Sequence, residues 1–102
     1  MRKLYHPERH NISLTVVLHA LGDPIRLKIV KSLAAHGEQP CGACDASIPK
    51  STMSRHFEVL REAGIIHIRQ EGTQRINSLR RKDLDARFPG LLDLVLQASE
   101  PL

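Results

Sequence analysis

The chain has 102 residues, enough for one domain, and its 15 Lys and Arg residues against 11 Asp and Glu give a formal net charge of +4. No apolar run reaches the roughly 20 residues that a membrane span requires, and the N-terminus lacks the apolar core of a signal peptide. These features exclude a membrane protein and lead us to expect a single cytoplasmic domain over residues 1–102.

The first third of the chain is predicted to form an arm and two helices. Residues 1–11 are polar, and we interpret them as an N-terminal arm. Residues 12–36 hold two helices, of which the first is apolar on nearly all sides and needs cover on more than one face. Asp23 and Pro24 are typical of a helix start, because Asp caps the first N–H groups and Pro lacks a donor that the helix would not use. We expect the second helix to end at Gly37.

Residues 41–64 are predicted to form a helix-turn-helix, with a short positioning helix near residues 42–46. In the longer helix that follows, Met53, Phe57 and Leu60 recur at helical spacing and predict a buried back. The front carries hydroxyl and basic side chains close to the helix N-terminus, which favours phosphate. An ordinary amphipathic surface helix would show the same periodicity. The candidate DNA-binding residues of this helix are Lys50, Ser51, Thr52, Ser54, Arg55 and His56.

Residues 65–80 contain two β-rich runs around the loop Glu71–Gln74, where Gly72 can take a positive φ angle. A helix followed at once by a two-stranded hairpin is typical of a winged helix-turn-helix. Arg69 and Arg75 lie beside the hairpin tip, and we expect both to contact DNA phosphate. The predicted fold class is therefore mainly α with a small β-hairpin wing (α+β), with about five helices and a two-stranded wing.

Positive charge is concentrated in the part of the chain that holds these elements. Residues 49–82 contain three acidic side chains and eight basic ones, namely Lys50, Arg55, Arg61, Arg69, Arg75, Arg80, Arg81 and Lys82. The last three either contact flanking phosphate or solvate the start of the next helix.

Residues 83–98 are predicted to form a C-terminal dimerisation helix with a break at Pro89. After the break, five of six positions are apolar, which is too many for one buried face. With the apolar first helix, this pattern favours a two-fold homodimer, and one monomeric core around both helices is the alternative. The residues assigned to the dimer interface are Val17, Leu21, Leu91, Leu92 and Val95.

The sequence resembles the ArsR-type (ArsR/SmtB-like) bacterial winged-helix repressors over roughly residues 12–98. The matching segments, in order and spacing, are Ala20–Val30, Ser54–His56, Leu60–Gly64 and Glu71–Gly72. The resemblance implies a homodimeric repressor that binds a double-stranded DNA operator. The last helix contains no His, so it cannot supply the His-and-carboxylate zinc site that some relatives carry there.

Cys41 and Cys44 form a CxxC pair with three interpretations: half of a metal site, a redox pair, or an inert structural pair. A thiophilic metal ion would need two further ligands, and His6 and His10 of the other subunit's arm are candidates. Oxidation sensing would instead use a Cys41–Cys44 disulfide. No other cofactor is expected.

No Ser/His/Asp set, pair of catalytic carboxylates or phosphate-binding Gly loop can be assembled, so we do not expect an enzyme. The sequence predicts a sequence-specific DNA-binding transcriptional regulator, a homodimeric repressor released by a metal ion, an oxidant or a small molecule. The alternative is a winged-helix protein-interaction module that does not read DNA sequence. The basic bias of residues 49–82 favours the regulator.

Overall fold

The computed structural model describes residues 4–40 and 47–98, which form helices and short strands around one apolar core. The elements are a 3-10 turn at Arg9–Asn11, α1 at Leu14–Leu21, α2 at Pro24–His36, β1 at Gln39–Pro40, α3 at Lys50–Glu62, β2 at Ile66–Glu71, β3 at Gln74–Leu79, α4 at Arg81–Arg87 and α5 at Leu91–Gln97. The predicted class, mainly α with a β-hairpin wing, is confirmed. The predicted positioning helix lies outside the described residues. Within both ranges, no helix is long and apolar enough to cross a membrane.

Helix α2 begins and ends where local chemistry predicts. The Asp23 carboxylate accepts hydrogen bonds from the N–H groups of Ile25 at 2.9 Å and Arg26 at 3.0 Å, with Pro24 in the first turn. These bonds satisfy donors that have no partner inside the helix. At the other end, Gly37 has a φ angle of 77°, which a glycine adopts without strain.

Helix α3 also follows its predicted pattern, since Met53, Phe57 and Leu60 form its buried side. It ends at Gly64, which has a φ angle of 87°, and the Ile65 N–H donates to the Leu60 carbonyl at 3.0 Å. A Cβ atom at Gly64 would lie only 2.7 Å from Cγ1 of Ile12 and 3.1 Å from Cγ of Pro7. The missing side chain therefore lets the N-terminal arm pack directly against this turn.

The three strands form one antiparallel sheet in the order β1-β3-β2. The turn between β2 and β3 uses Gly72, which has a φ angle of 62°. Strand β1 was not predicted, because two residues that include Pro40 carry no periodic strand signal. It pairs Gln39 with Asn77 and Pro40 with Ile76, so the chain that leaves α2 is attached to the wing.

The first helix differs from its prediction in its start. Residues Leu14–Leu21 are helical, whereas Ile12 precedes the helix and is buried against Gly64. On the solvent side of α1, Leu14, Val16 and Leu18 are each nearly half exposed. Helix α1 is therefore apolar on both faces and covered on only one of them.

The C-terminal segment consists of two short helices, one on each side of the predicted break. Gly90, with a φ angle of 84°, separates α4 from α5 near the break that Pro89 predicted. Leu92 of α5 is buried, whereas Leu94 is 70% exposed. Like α1, helix α5 leaves apolar surface uncovered in the described protomer.

The assignment of Val17, Leu21 and Leu92 to a dimer contact needs correction. Val17 and Leu92 are 1% and 2% exposed, and they line one apolar crevice with Leu21 inside the protomer. Buried side chains have almost no surface left for a partner. Leu91 and Val95 are only partly buried, so their assignment stays a prediction. The large apolar side chains that these two helices expose are Leu14, Val16, Leu18 and Leu94.

Candidate nucleic-acid interface

The side of α3 opposite its buried face is polar and open to solvent. Packing of Met53, Phe57 and Leu60 on the core turns the intervening positions outward. The exposed candidates on this surface are Lys50, Ser51, Thr52, Ser54 and Arg55. Their hydroxyl and cationic groups can donate to base edges and to phosphate oxygens.

The N-terminus of α3 offers unpaired backbone donors beside this surface. Pro49 precedes the helix and has no N–H, and no side chain of the described residues caps the first turn. First-turn N–H groups have no partner inside a helix, and the helix dipole favours an anion there. Lys50 is exposed at the same end, so a phosphate there would meet N–H donors and a cation.

Arg55 is held by a neighbour on its own helix. Its Nη1 lies 2.7 Å from Oε1 of Glu58, and both side chains are largely exposed. An exposed ion pair of this kind contributes at most about 1 kcal/mol, so DNA can compete with Glu58 for the guanidinium. The pair keeps Arg55 on the outer face of the helix and leaves it available for a stronger bidentate acceptor.

His56, also predicted to support DNA binding, is placed elsewhere. Its side chain is only 12% exposed, with Nδ1 3.3 Å from Nη1 of Arg26 and 3.8 Å from Oδ2 of Asp23. A ring enclosed by these groups has little surface to offer a base. The assignment is corrected: His56 joins α3 to the start of α2.

Arg26 is the centre of that contact. Its Nε donates to the Ala20 carbonyl at 2.6 Å, and its Nη2 donates to the His19 carbonyl at 3.3 Å. It therefore satisfies carbonyl groups at the end of α1 that have no partner within the helix. Its position three residues after the capping Asp23 was the available signal, since residues i and i+3 adjoin on a helix.

The two wing arginines lie on opposite faces of the hairpin. In the register of β2 and β3, Arg75 pairs with Gln70, two positions from the buried Ile68, whereas Arg69 pairs with Ile76. Since strand side chains alternate, Arg75 shares the face that packs on the helices and Arg69 the other face. Arg75 is exposed, and no carboxylate among the described residues pairs with it.

Arg69 is neutralised by two carboxylates, contrary to its predicted role as a phosphate contact. It forms an ion pair with Glu38, and its Nη2 lies 2.8 Å from Oε2 of Glu71. The hydrogen bond with Glu38 is the main cause that raises the pKa of Arg69, and the same bond lowers the pKa of Glu38. A phosphate would have to displace both carboxylates, so Arg75 is the better-placed wing contact.

Other basic residues of the predicted cluster are also engaged. Arg80 pairs with Asp83 at 2.9 Å, and Arg81 pairs with Asp93. The structure thus favours the interpretation that these two arginines stabilise the start of α4. Within the described part of residues 49–82, the cations without an ion pair or hydrogen bond are Lys50, Arg75 and Lys82.

The predicted metal site cannot be assembled from the described residues. Cys41 and Cys44 lie outside them, and within residues 4–40 and 47–98 no group of three or more His, Cys, Asp or Glu side chains is placed to hold an ion. His10 is exposed, 3.7 Å from Glu8. The Nε2 atom of His6 accepts the Ile68 N–H at 3.0 Å, so the lone pair that a metal would need is already used.

Comparisons with known proteins identify a helix-turn-helix domain in this chain. A family model described as a helix-turn-helix domain matches residues 21–69. An uncharacterized HTH-type transcriptional regulator of Bacillus subtilis, YceK, is 35% identical over 80 residues, which cover 76% of this chain and 80% of that protein. Another, from Methanocaldococcus jannaschii, is 42% identical over 59 residues, 56% of this chain and 66% of that protein. The crystal structure of the transcriptional repressor BigR from Xylella fastidiosa matches with a TM-score of 0.59 and 30% identity, covering 74% of this chain and 85% of that one.

Proposed function

Because the chain belongs to the ArsR-type winged helix-turn-helix family of DNA-binding transcriptional regulators, we propose that it represses transcription by binding an operator as a homodimer. The observation that carries this proposal is the exposed polar face of α3, which combines hydroxyl donors, Arg55 and an uncapped helix N-terminus. An operator-binding protein works where the chromosome lies, which in a bacterial or archaeal cell is the cytoplasm.

On this proposal, α3 enters the major groove with its outer face toward the bases. Ser51, Ser54 and Arg55 contact base edges, and Arg55 exchanges Glu58 for a guanine, the base whose two acceptors match a guanidinium. Lys50, Thr52 and the first-turn N–H groups bind phosphate, and Arg75 binds phosphate beside the groove.

The dimer is proposed from the apolar surface that the protomer leaves uncovered. Leu14, Val16 and Leu18 on α1 and Leu94 on α5 would be buried by a second copy, and a two-fold axis would present two copies of α3 to successive half-sites. The buried residues of the same helices would hold the exposed side chains in position by packing in the protomer core.

The signal that releases the operator is proposed to act at Cys41 and Cys44. They lie in the segment between β1 and α3, so a thiophilic ion or a disulfide there could change how α3 meets DNA. To test this idea, operator affinity is measured for the wild type and for a Cys41→Ser/Cys44→Ser variant, each with and without metal or oxidant. If the operator affinity of the variant still changes with metal or oxidant, the signal acts at another site.

The central test uses an operator fragment recovered from the source genome by selection on the purified protein. Arg55→Ala should weaken that operator by about 10- to 100-fold more than it weakens random duplex, the range expected for a bidentate contact to guanine. Lys28→Ala on the exposed side of α2 is the control and should change neither affinity. An equal loss on both duplexes would reduce Arg55 to a phosphate contact. A protein that selects no fragment and shows no salt-dependent DNA binding would instead be an interaction module.

A further inference from the structure

The N-terminal arm contacts both the recognition helix α3 and the wing. Three consecutive residues supply the contacts: the Tyr5 carbonyl accepts from Nη1 of Arg61 at 2.5 Å, Nε2 of His6 accepts from the Ile68 N–H at 3.0 Å, and the Pro7 carbonyl accepts from Nη1 of Arg80 at 2.7 Å. Arg61 belongs to α3, Ile68 to β2, and Arg80 follows β3. Residues 5–7 therefore connect the recognition helix to both strands of the wing.

His6 occupies an edge of the sheet that has no strand beside it. In the order β1-β3-β2, strand β2 has a free edge, and the Ile68 N–H at that edge donates to His6 instead of to a strand. The ring is held in place by stacking on His67, with centroids 4.3 Å apart and an angle of 18° between planes.

The opposite edge of the wing is attached separately. Strand β1 pairs with β3 and is connected to α2, whereas the chain enters β2 from the tight turn at Gly64. Pro7 and Ile12 pack on that turn so closely that a Cβ atom at Gly64 would collide with them. Helix α3 and strand β2 also meet directly in the core, and the arm adds a second connection, from α3 to the free edge of the wing.

We propose that residues 5–7 act as a clasp that sets the wing against the recognition helix, with His6 and Arg61 as positioning residues for DNA binding. The inference rests on the proposed function, because its consequence is the placement of Arg75 on phosphate while α3 lies in the groove. When the clasp is lost, α3 keeps its own contacts and the wing loses its fixed angle. Phosphate binding by the wing therefore falls more than base discrimination by Arg55.

The test compares His6→Leu, which cannot accept the Ile68 N–H, with His6→Gln, whose side-chain oxygen can. In His6→Leu, the Ile68 amide should exchange with solvent at least about tenfold faster. The slope of log affinity against log salt should become shallower by about one unit for each protomer bound, the value of one lost phosphate contact. His6→Gln should restore both values. The matched control is Asn11→Leu, at an exposed residue of the same arm, which should change neither.

A second variant approaches the clasp from the recognition helix. Arg61→Met removes the donor to the Tyr5 carbonyl without altering the arm, and it should give the same shallower salt slope even where His6→Leu folds poorly. Simple loss of folded protein lowers the affinity of a sample but leaves its salt slope unchanged. The proposal is overturned if His6→Leu and Arg61→Met keep the wild-type slope, or if His6→Gln behaves as His6→Leu does.

The amide-exchange measurement separates this proposal from the proposed function. If the wild type binds no DNA, faster exchange at Ile68 in His6→Leu, with recovery in His6→Gln, would still establish the clasp while the regulator assignment fails. If the wild type binds its operator and Ile68 exchange is the same in all variants, the clasp fails while the regulator assignment stands.

Discussion

Nη1 of Arg26 lies 3.3 Å from Nδ1 of His56, and this contact joins the first turn of α2 to the middle of the recognition helix. A guanidinium donates hydrogen bonds and cannot accept them, so His56 Nδ1 is the acceptor. The same guanidinium holds the Ala20 and His19 carbonyls, and one side chain therefore connects α1, α2 and α3.

Replacement of Arg26 should destabilise the fold through lost hydrogen bonds. Arg26→Met keeps a long apolar stem but leaves the Ala20 carbonyl and the His56 ring without their donor, and a part-buried group left unpaired costs about 1–3 kcal/mol. Urea denaturation should show this decrease in the free energy of unfolding. Lys28→Met, on the exposed side of the same helix, should stay within about 0.5 kcal/mol of wild type. Equal values for the two variants would contradict the structural role of Arg26.

Asp23 should stabilise α2 as its N-cap, by about 1 kcal/mol relative to Asp23→Ala at neutral pH. Ser13 precedes α1 without a side-chain cap bond, so Ser13→Ala is the control and should have a much smaller effect on the free energy of unfolding. If both alanine variants lose the same stability, the cap contributes nothing specific.

The contribution of Asp23 should also depend on pH. The hydrogen bond from the Arg26 backbone N–H is the main cause that lowers the pKa of Asp23 below its ordinary value of 3.8. The carboxylate's contribution is therefore complete above that value and is lost as the pH falls through the lower folded pKa. Asp23→Asn keeps a capping oxygen that does not titrate, so the difference in unfolding free energy between wild type and Asp23→Asn should change as the pH falls below about 4. A difference that stays constant there would contradict a lowered pKa.

The wing arginines should differ in their effect on DNA binding. Arg75→Ala should lower affinity for operator and random duplex alike and reduce the salt slope by about one unit for each protomer bound, because each protomer loses an unpaired cation. Arg69→Ala should change the slope much less, since Glu38 and Glu71 already neutralise this side chain. DNA affinity measured at several salt concentrations gives the slope for each variant. The opposite ranking would mean that DNA displaces both carboxylates from Arg69.

Gly64 should tolerate no side chain. Gly64→Ala combines a φ angle of 87° with a Cβ atom 2.7 Å from Ile12, whereas Gly90→Ala meets a similar φ angle of 84° in open space. Backbone strain alone costs about 1–3 kcal/mol, so both variants should lose stability and Gly64→Ala should lose more. Thermal unfolding of the two proteins measures the difference. Equal losses would show that Ile12 can move away at no cost.

A charge placed on the uncovered apolar surface of α1 or α5 should prevent dimer formation without unfolding the protomer. Leu18→Glu and Leu94→Glu alter exposed side chains, so each protein should fold and sediment as a monomer. Leu92→Glu buries a charge in the protomer core and should unfold the chain. Thr73→Glu, exposed in the turn between β2 and β3 and away from α1 and α5, is the control for added charge. Sedimentation with circular dichroism provides both readings, and a wild type that is monomeric at micromolar concentration would contradict the dimer.

Local chemistry was sufficient to predict α2, the buried side of α3 and the hairpin of the wing. Asp23, Pro24 and Gly37 mark both ends of α2, and Gly64 marks the end of α3, because capping bonds and positive φ angles are decided within a few residues of sequence. The buried side of α3 and the hairpin around Gly72 followed from periodicity in the same way. These features depend on neighbours in the chain, which a sequence displays directly.

Only the tertiary structure decided which polar groups remain available to a ligand. Arg69 and Glu38 are 31 residues apart, and His6 and Ile68 are 62 apart, so no local pattern could show that each finds its partner. The same applies to His56, which belongs to the recognition helix α3 but contacts Arg26 of α2 in the folded protein. Charge and helical phase are properties of the sequence, whereas ion pairing and burial depend on distance in space, which is determined when the elements pack.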